Sequence, residues 1–120
     1  MKEHIELGKS GEEIAVAFLQ DKGYRIIERN WRWGHQEIDI IARDGNFIVV
    51  VEVKTRHSDS FAEPGIHVNH NKQRILVRAA NAFVNYRRLA GEVRFDTITI
   101  LVRPGGTEIN HIADAFGAML

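Results

Sequence analysis

The chain contains no cysteine, and only two prolines and two tryptophans among its 120 residues. Without thiols there is no disulfide, no cysteine nucleophile and no cysteine-ligated zinc, so any metal must be held by oxygen or imidazole donors. Two prolines and ten glycines are too few for a repetitive or disordered chain. Long hydrophobic runs are missing as well. The longest uncharged apolar stretches are IAVAFL at 14–19 and FIVVV at 47–51, far short of the roughly 20 residues that cross a bilayer. The opening MKEHIELGKSGEEIAV has no apolar core of a secretion signal. These absences predict a cytoplasmic protein with no membrane partner. Net charge is absent too: 16 Lys and Arg balance 16 Asp and Glu, so bulk charge does not draw the chain to polyanions.

What is present is 44% hydrophobic and 27% charged residues, the composition of a folded globular chain. The length predicts a single domain over 1–120. The neutral total hides an uneven distribution. Residues 71–90, NKQRILVRAANAFVNYRRLA, carry Lys72, Arg74, Arg78, Arg87 and Arg88 and no acid.

Hydrophobic periodicity gives a coarse order of elements. SGEEIAVAFLQDKG reads as a helix, with Ser10 as N-cap, Glu13 at capping-box spacing and Gly23 at its end. Ile14, Ala15, Phe18 and Leu19 form its apolar face. Tyr24–Trp33 reads as a strand running into a loop near Gly34, and EIDIIA and FIVVVEVK as two more strands joined at RDGN. RHSDSFAEPGIHVNHN is a polar loop. The 71–90 segment reads as a helix with Leu76, Ala79, Ala80, Phe83 and Tyr86 on one face and Arg74, Arg78, Asn81, Asn85 and Arg88 on the other. The second face suits either solvent or a polyanion. Val93–Val102 is a fourth strand, RPGG a turn, and TEINHIADAF a weaker strand or an edge.

The hairpin around Asp44-Gly45 carries the chemistry. With those two residues at the centre of the turn, Asp39 lies opposite Val50 and Glu37 opposite Glu52. Alternation then sends Ile38, Ile40, Val49, Val51 and Val53 to one apolar face. Glu37, Asp39, Ile41, Ile48, Val50, Glu52 and Lys54 go to the other. At roughly 5 Å and an effective dielectric near 20, each like-charge pair there costs about 3 kcal/mol before screening. Lys54 offsets one charge. A hard divalent cation, Mg²⁺ or Mn²⁺, suits Asp39 and Glu52 together, whereas a surface ion pair between Glu52 and Lys54 would contribute little. Carboxylates that hold a metal beside a lysine point to phosphodiester hydrolysis. No nucleophile triad and no glycine-rich phosphate loop is present to support other chemistry.

Several smaller signals accompany the hairpin. Trp31, Arg32 and Trp33 interleave aromatic and basic residues and suit base stacking or a core position. Arg94 and Asp96 share a strand face as a structural ion pair or a brace. Lys72 reaches either phosphate or solvent. His67 and His70 have helical spacing, but with His35, His57 and His111 scattered they do not make a zinc site.

An Asp on one strand followed by Glu-x-Lys on the next, EVK at 52–54, in the order helix, three strands, helix, strand, resembles the PD-(D/E)XK nuclease superfamily. GEEIAVAFL, YRIIERNWR, EIDIIARDG, VEVKTR, the central Lys72 and RFDTITI are similar to the YraN-type family of small bacterial proteins. The resemblance runs from about Gly11 to Val102. It implies an α/β (α+β) fold with an αβββαβ restriction-endonuclease-like, Holliday-junction-resolvase-like core, a mixed sheet flanked by helices. It also implies a catalytic set of Glu12, Asp39, Glu52 and Lys54, with Glu12, Asp39 and Glu52 as Mg²⁺ or Mn²⁺ ligands and Glu37 as an accessory acid. Arg56, Lys72, Arg74, Arg78 and Arg88 would meet the nucleic acid. The expected substrate is DNA, branched DNA included, and the expected assembly is a homodimer. Gln36 and Ala62 depart from the glycines common at those places in relatives. The competing expectation is a nucleic-acid-binding or complex-assembly module that keeps the fold without the chemistry.

Overall fold

The computed structural model describes residues 11–57 and 68–117; the expected Ser10 cap and the 58–67 part of the polar loop, with His67, lie outside them. The elements are α1 (Gly11–Asp21), β1 (Arg25–Trp33), β2 (Gln36–Asp44), β3 (Phe47–His57), α2 (His70–Arg87), β4 (Glu92–Arg103) and β5 (Gly106–Phe116). The strands form one sheet in the order β1-β2-β3-β4-β5. Only β3 and β4 run parallel. A parallel pair needs a long crossover, and α2 lies in that connection. The result is the expected mixed sheet with two helices, extended by β5 as a full strand.

Alternation along the valine-rich strands fills both sides of the sheet, because a helix covers each. On one side Ala15 and Leu19 of α1 pack on Ile40, Ala42, Val49, Val51, Ile98 and Ile100. On the other, Leu76, Ala79, Ala80 and Phe83 of α2 pack on Ile38, Ile41, Ile48, Val50 and Phe95. The face that carries the charged residues is, as expected, apolar near the turn, where Ile41, Ile48 and Val50 join the core, and polar only farther along. At about 25 cal/mol per Å² of buried apolar surface, this two-sided burial is the main stabilising term.

Two details of β2 and β3 differ from the sequence reading. Asp44 pairs with Phe47, so the central turn residues are Gly45 and Asn46, and Gly45 has φ 59°. A II′-type turn needs glycine at its first central position, and Gly45 satisfies that only in this register. Pairing then sets Ile41 opposite Val50 and Ile40 opposite Val51. Continued one rung, this register faces Asp39 with Glu52, in place of the expected pair Glu37 and Glu52.

The second difference is that Ile38 falls in the cluster with Ile41 and not with Ile40. Alternation therefore breaks at Asp39. On β1, the rung between Trp31↔Ile38 and Arg29↔Ile40 belongs to Asn30, whose φ of 52° is left-handed. That backbone turns the strands locally and carries the face switch.

Helix α2 starts at Asn69, whose side chain accepts a 2.8 Å hydrogen bond from the Lys72 N–H. It ends at Arg88, in the left-handed conformation at φ 54°. Leu89 then folds back, its N–H donating to Val84 O, and covers the end of the cluster. Tyr86, expected on the apolar face, is thereby left outside, 73% exposed.

At the hairpin end of the sheet, away from the polar end of the strands, Arg94 and Asp96 form the expected structural ion pair. Asp96 is fully buried. It accepts from Arg94 Nε at 2.9 Å, His111 Nε2 at 2.8 Å and the Asp114 N–H at 3.0 Å. Burial pushes its carboxyl up, but these donors outweigh it and hold the group below its ordinary value. Lys22 Nζ meets His111 Nδ1 at 3.0 Å; lysine only donates, so Nδ1 accepts and Nε2 carries the proton that reaches Asp96. Among the described residues no helix is long and apolar enough to cross a membrane.

Candidate active site

Beyond the pair Ile40↔Val51, β2 and β3 stop exchanging backbone hydrogen bonds. At this fork the Val53 N–H would be an orphan. Asp39 Oδ2 accepts it instead, at 2.8 Å. The carboxylate is thus set between the diverging strands by the backbone itself.

Glu52 follows Val51 on β3 and is 8% exposed. Its Oε2 is one of two buried side-chain polar atoms without a hydrogen-bond partner among the described residues, the other being Thr99 Oγ1. Burial, and then the charge of Asp39, push the Glu52 carboxyl up to about 7, against the opposing pull of Lys72. Burial likewise raises Asp39, the Val53 hydrogen bond working against it and the charges of Glu12 and Glu37 adding to it. Two acids held together, Glu52 buried and Asp39 half-buried, with one oxygen unsatisfied, form a locus of excess negative potential.

Lys72 of α2 supplies the nearest compensation, its Nζ 3.5 Å from Glu52 Oε1. Lys54, two residues past Glu52 on β3, is exposed and by alternation shares Glu52's face. On the parallel neighbour, Thr97 and Thr99 stand beside Glu52 and Lys54, and both threonines are buried. Together they make a buried polar strip beside Glu52 and Lys54. The threonines escaped the sequence reading, although their alternation with Ile98 and Ile100 signals a strand with one polar face.

Glu12 behaves differently. It sits in the first turn of α1, and a Cβ at its neighbour Gly11 would collide with Thr55 Oγ1, so that end of the helix lies hard against β3. The Glu12 carboxylate accepts from Arg29 Nε and Asn30 Nδ2, both at 2.9 Å. It is near enough for its charge to raise Asp39, but both its oxygens are engaged. Among the described residues no three carboxylate or imidazole groups converge on one point. The structure brings together Asp39 and Glu52, keeps Glu37 within charge reach of both, and clamps Glu12 beside them.

Of the expected nucleic-acid contacts, Lys72, Arg74, Arg78 and Arg88 are exposed on or just past α2, and Arg56 is half-buried on β3. Trp31 is half-buried and packs against the α2 core cluster, edge-on to Phe83 with ring centres 5.1 Å apart. Trp33 is 38% exposed and lines an open groove with Gly34, His35, Gln36 and Ile75. The donor set at the fork is all oxygen, which fits a hard cation such as Mg²⁺ or Mn²⁺ and not a soft one.

Comparison with known proteins identifies a family. Residues 11–100 match the family described as "Uncharacterised protein family UPF0102". A UPF0102 protein of Bacteroides thetaiotaomicron is 48% identical over 116 residues, covering 97% of this chain and 96% of that protein. Another from Christiangramia forsetii is 47% identical over 116 residues, 97% of this chain and 98% of that protein. A third, from Thermodesulfovibrio yellowstonii, is 47% identical over 112 residues, 93% of this chain and 96% of that protein. With identity of this order over nearly the whole of each chain, the protein belongs to the UPF0102 family, the YraN-type family.

Proposed function

We propose that this protein is a metal-dependent endonuclease that hydrolyses phosphodiester bonds in DNA, with branched or otherwise structured DNA as the preferred form. The observation that carries this reading is the unpartnered, buried Oε2 of Glu52 beside the strand-capping carboxylate of Asp39. Carboxylates are rarely kept in such surroundings without a cation to complete them. Asp39 and Glu52 would hold Mg²⁺ or Mn²⁺, which when bound supplies Lewis acidity toward water and a phosphate oxygen.

The chain's own residues do the remaining work. Asp39, fixed by Val53 N–H, and Glu52, fixed by burial, orient the attacking water. Lys54 projects from the next outward position of β3 and neutralises charge that builds on the phosphate. Arg74 and Arg78 on the exposed face of α2 and Arg88 just past its end grip the backbone. Trp33 offers a flat aromatic face in the groove at the β1–β2 turn, where an unpaired base stacks. Glu12, held by Arg29 and Asn30, adds negative charge beside Asp39 and stands in reserve as a further acid.

A second reading is binding of the same nucleic acid without hydrolysis, and the clamp on Glu12 favours it, since a third ligand is not freely offered. The two separate in one experiment. Labelled four-way junction, flap, single-stranded and duplex DNA are incubated with Mg²⁺ or Mn²⁺ and the wild type, Glu52→Ala or Lys54→Ala. Metal-dependent cleavage by the wild type alone supports the nuclease; salt-sensitive binding with no cleavage by any form supports the binding module.

A further inference from the structure

The ion pair between Lys72 and Glu52 is unequal. The Glu52 side chain is 11% exposed and the Lys72 side chain 45%. The carboxylate is fixed in the sheet, and the ammonium reaches in from solvent on a flexible stem. The root of that stem is rigid: Lys72 N–H is tied to Asn69 Oδ1, and the next residue is tied through Gln73 Nε2 to Val68 O at 2.6 Å and through Gln73 N–H to Asn69 O at 2.9 Å. Only the side chain is free to move. At 3.5 Å the contact is longer than a good charge-assisted hydrogen bond. It leaves Glu52 Oε2 without a partner. One positive charge faces two carboxylates, so the pair is compensated only in part.

We infer that Lys72 is a displaceable counter-ion, which occupies Glu52 until a divalent cation takes its place at Asp39 and Glu52, and whose released ammonium then binds a phosphate of the nucleic acid. The inference rests on the reading of Asp39 and Glu52 as a cation site. The ammonium and the cation compete for the same carboxylate, the ammonium at Oε1 and the cation drawn by the unpartnered Oε2, and once the cation is bound the two positive charges repel across a few ångströms of partly dry protein. Lys72 swings about its anchored backbone toward solvent, where Arg74 and Arg78 of the same helix are already exposed. Metal and nucleic acid therefore assist each other: the cation frees a phosphate ligand, and a phosphate that captures Lys72 vacates Glu52 for the cation. Such coupling is reciprocal by thermodynamic necessity.

The test is Mn²⁺ titration calorimetry on wild type, Lys72→Gln, Lys72→Met and Lys72→Arg, followed by binding of fluorescent four-way-junction DNA with Ca²⁺ or with EDTA. Gln and Met remove the competing charge and bind Mn²⁺ about tenfold more tightly than wild type, whereas Arg, which keeps the charge, stays near wild type. Ca²⁺ strengthens DNA binding by the wild type more than by Lys72→Gln. Melting in EDTA verifies that each variant is folded. Equal or weaker Mn²⁺ affinity in folded Lys72→Gln and Lys72→Met overturns the inference and leaves the cation site standing. Absence of Mn²⁺ binding by wild type and all variants overturns both.

Discussion

Asp39 Oδ2 accepts the Val53 N–H at 2.8 Å at the point where β2 and β3 part. A side chain thus replaces a backbone carbonyl in the ladder, and the same atom group faces Glu52. Fold and site share one carboxylate.

Replacing that carboxylate by an amide separates the two roles. Asp39→Asn keeps an oxygen that accepts from Val53 and stays within about 1 kcal/mol of wild-type stability. Asp39→Ala leaves the N–H unsatisfied and loses about 1–3 kcal/mol. Both variants lose Mn²⁺ binding. Urea melts in EDTA and calorimetry distinguish the two effects.

Glu52 makes stability depend on pH. Its carboxyl is raised from 4.5 to about 7, so between those values the folded protein holds a proton that the unfolded chain has released. More protons in the folded state means that stability falls as pH rises through this window, by about 3 kcal/mol in all, and stays low above it. Glu52→Gln removes this slope and is more stable than wild type at pH 8. Mn²⁺ binding by the wild type strengthens from pH 5 to 7 and then levels off, because the ligand must lose its proton first. Urea melts and Mn²⁺ titrations from pH 4.5 to 8.5 measure both.

Trp31 and Trp33 have opposite sensitivities. Trp31→Ala empties a place against Phe83 and costs about 3 kcal/mol of stability. Trp33→Ala costs about 0.5 kcal/mol but weakens single-strand or junction binding about tenfold through lost base stacking. Thermal melts paired with fluorescence anisotropy read the contrast.

The Arg94–Asp96 brace lies at the other end of the sheet. Asp96→Asn removes one of the two carboxylates on the Arg94 guanidinium, leaving Asp44 at 3.1 Å, and weakens a buried charge-assisted network, destabilising the fold by about 1–3 kcal/mol. Mn²⁺ affinity at the fork, measured well below the variant's melting temperature, is unaltered.

Exposed arginines on α2 set the salt dependence. Arg74→Ala and Arg78→Ala each reduce the slope of log affinity against log salt by about 1, with little sequence preference in the loss. A slope that does not change in either variant would move the binding surface away from this helix.

The elements were legible because their signals are strong: apolar spacing in α2, five consecutive apolar residues in β3, and a glycine turn between two strands. Asp39, Glu52 and Lys54 stood out as charges among branched apolar residues. What sequence could not fix was the two-residue slip of the hairpin, because Asp-Gly and Gly-Asn are both acceptable turn centres and the choice belongs to the packing of both faces. The face switch at Ile38 depends on the left-handed backbone of Asn30, a tertiary effect with no periodic signature. Tyr86 was misplaced because Leu89 returns after the helix to cover the same cluster. The clamp of Arg29 and Asn30 on Glu12 joins residues far apart in the chain and is visible only in three dimensions.

The central claim is that Asp39 and Glu52 form a divalent-cation site. Crystals soaked in MnCl₂ at pH 8 and measured for anomalous scattering test it most directly. The account predicts a manganese peak within coordination distance of Asp39 and Glu52, with Lys72 withdrawn from Glu52. An ordered fork with no peak between these carboxylates, and Lys72 still paired to Glu52, would contradict it.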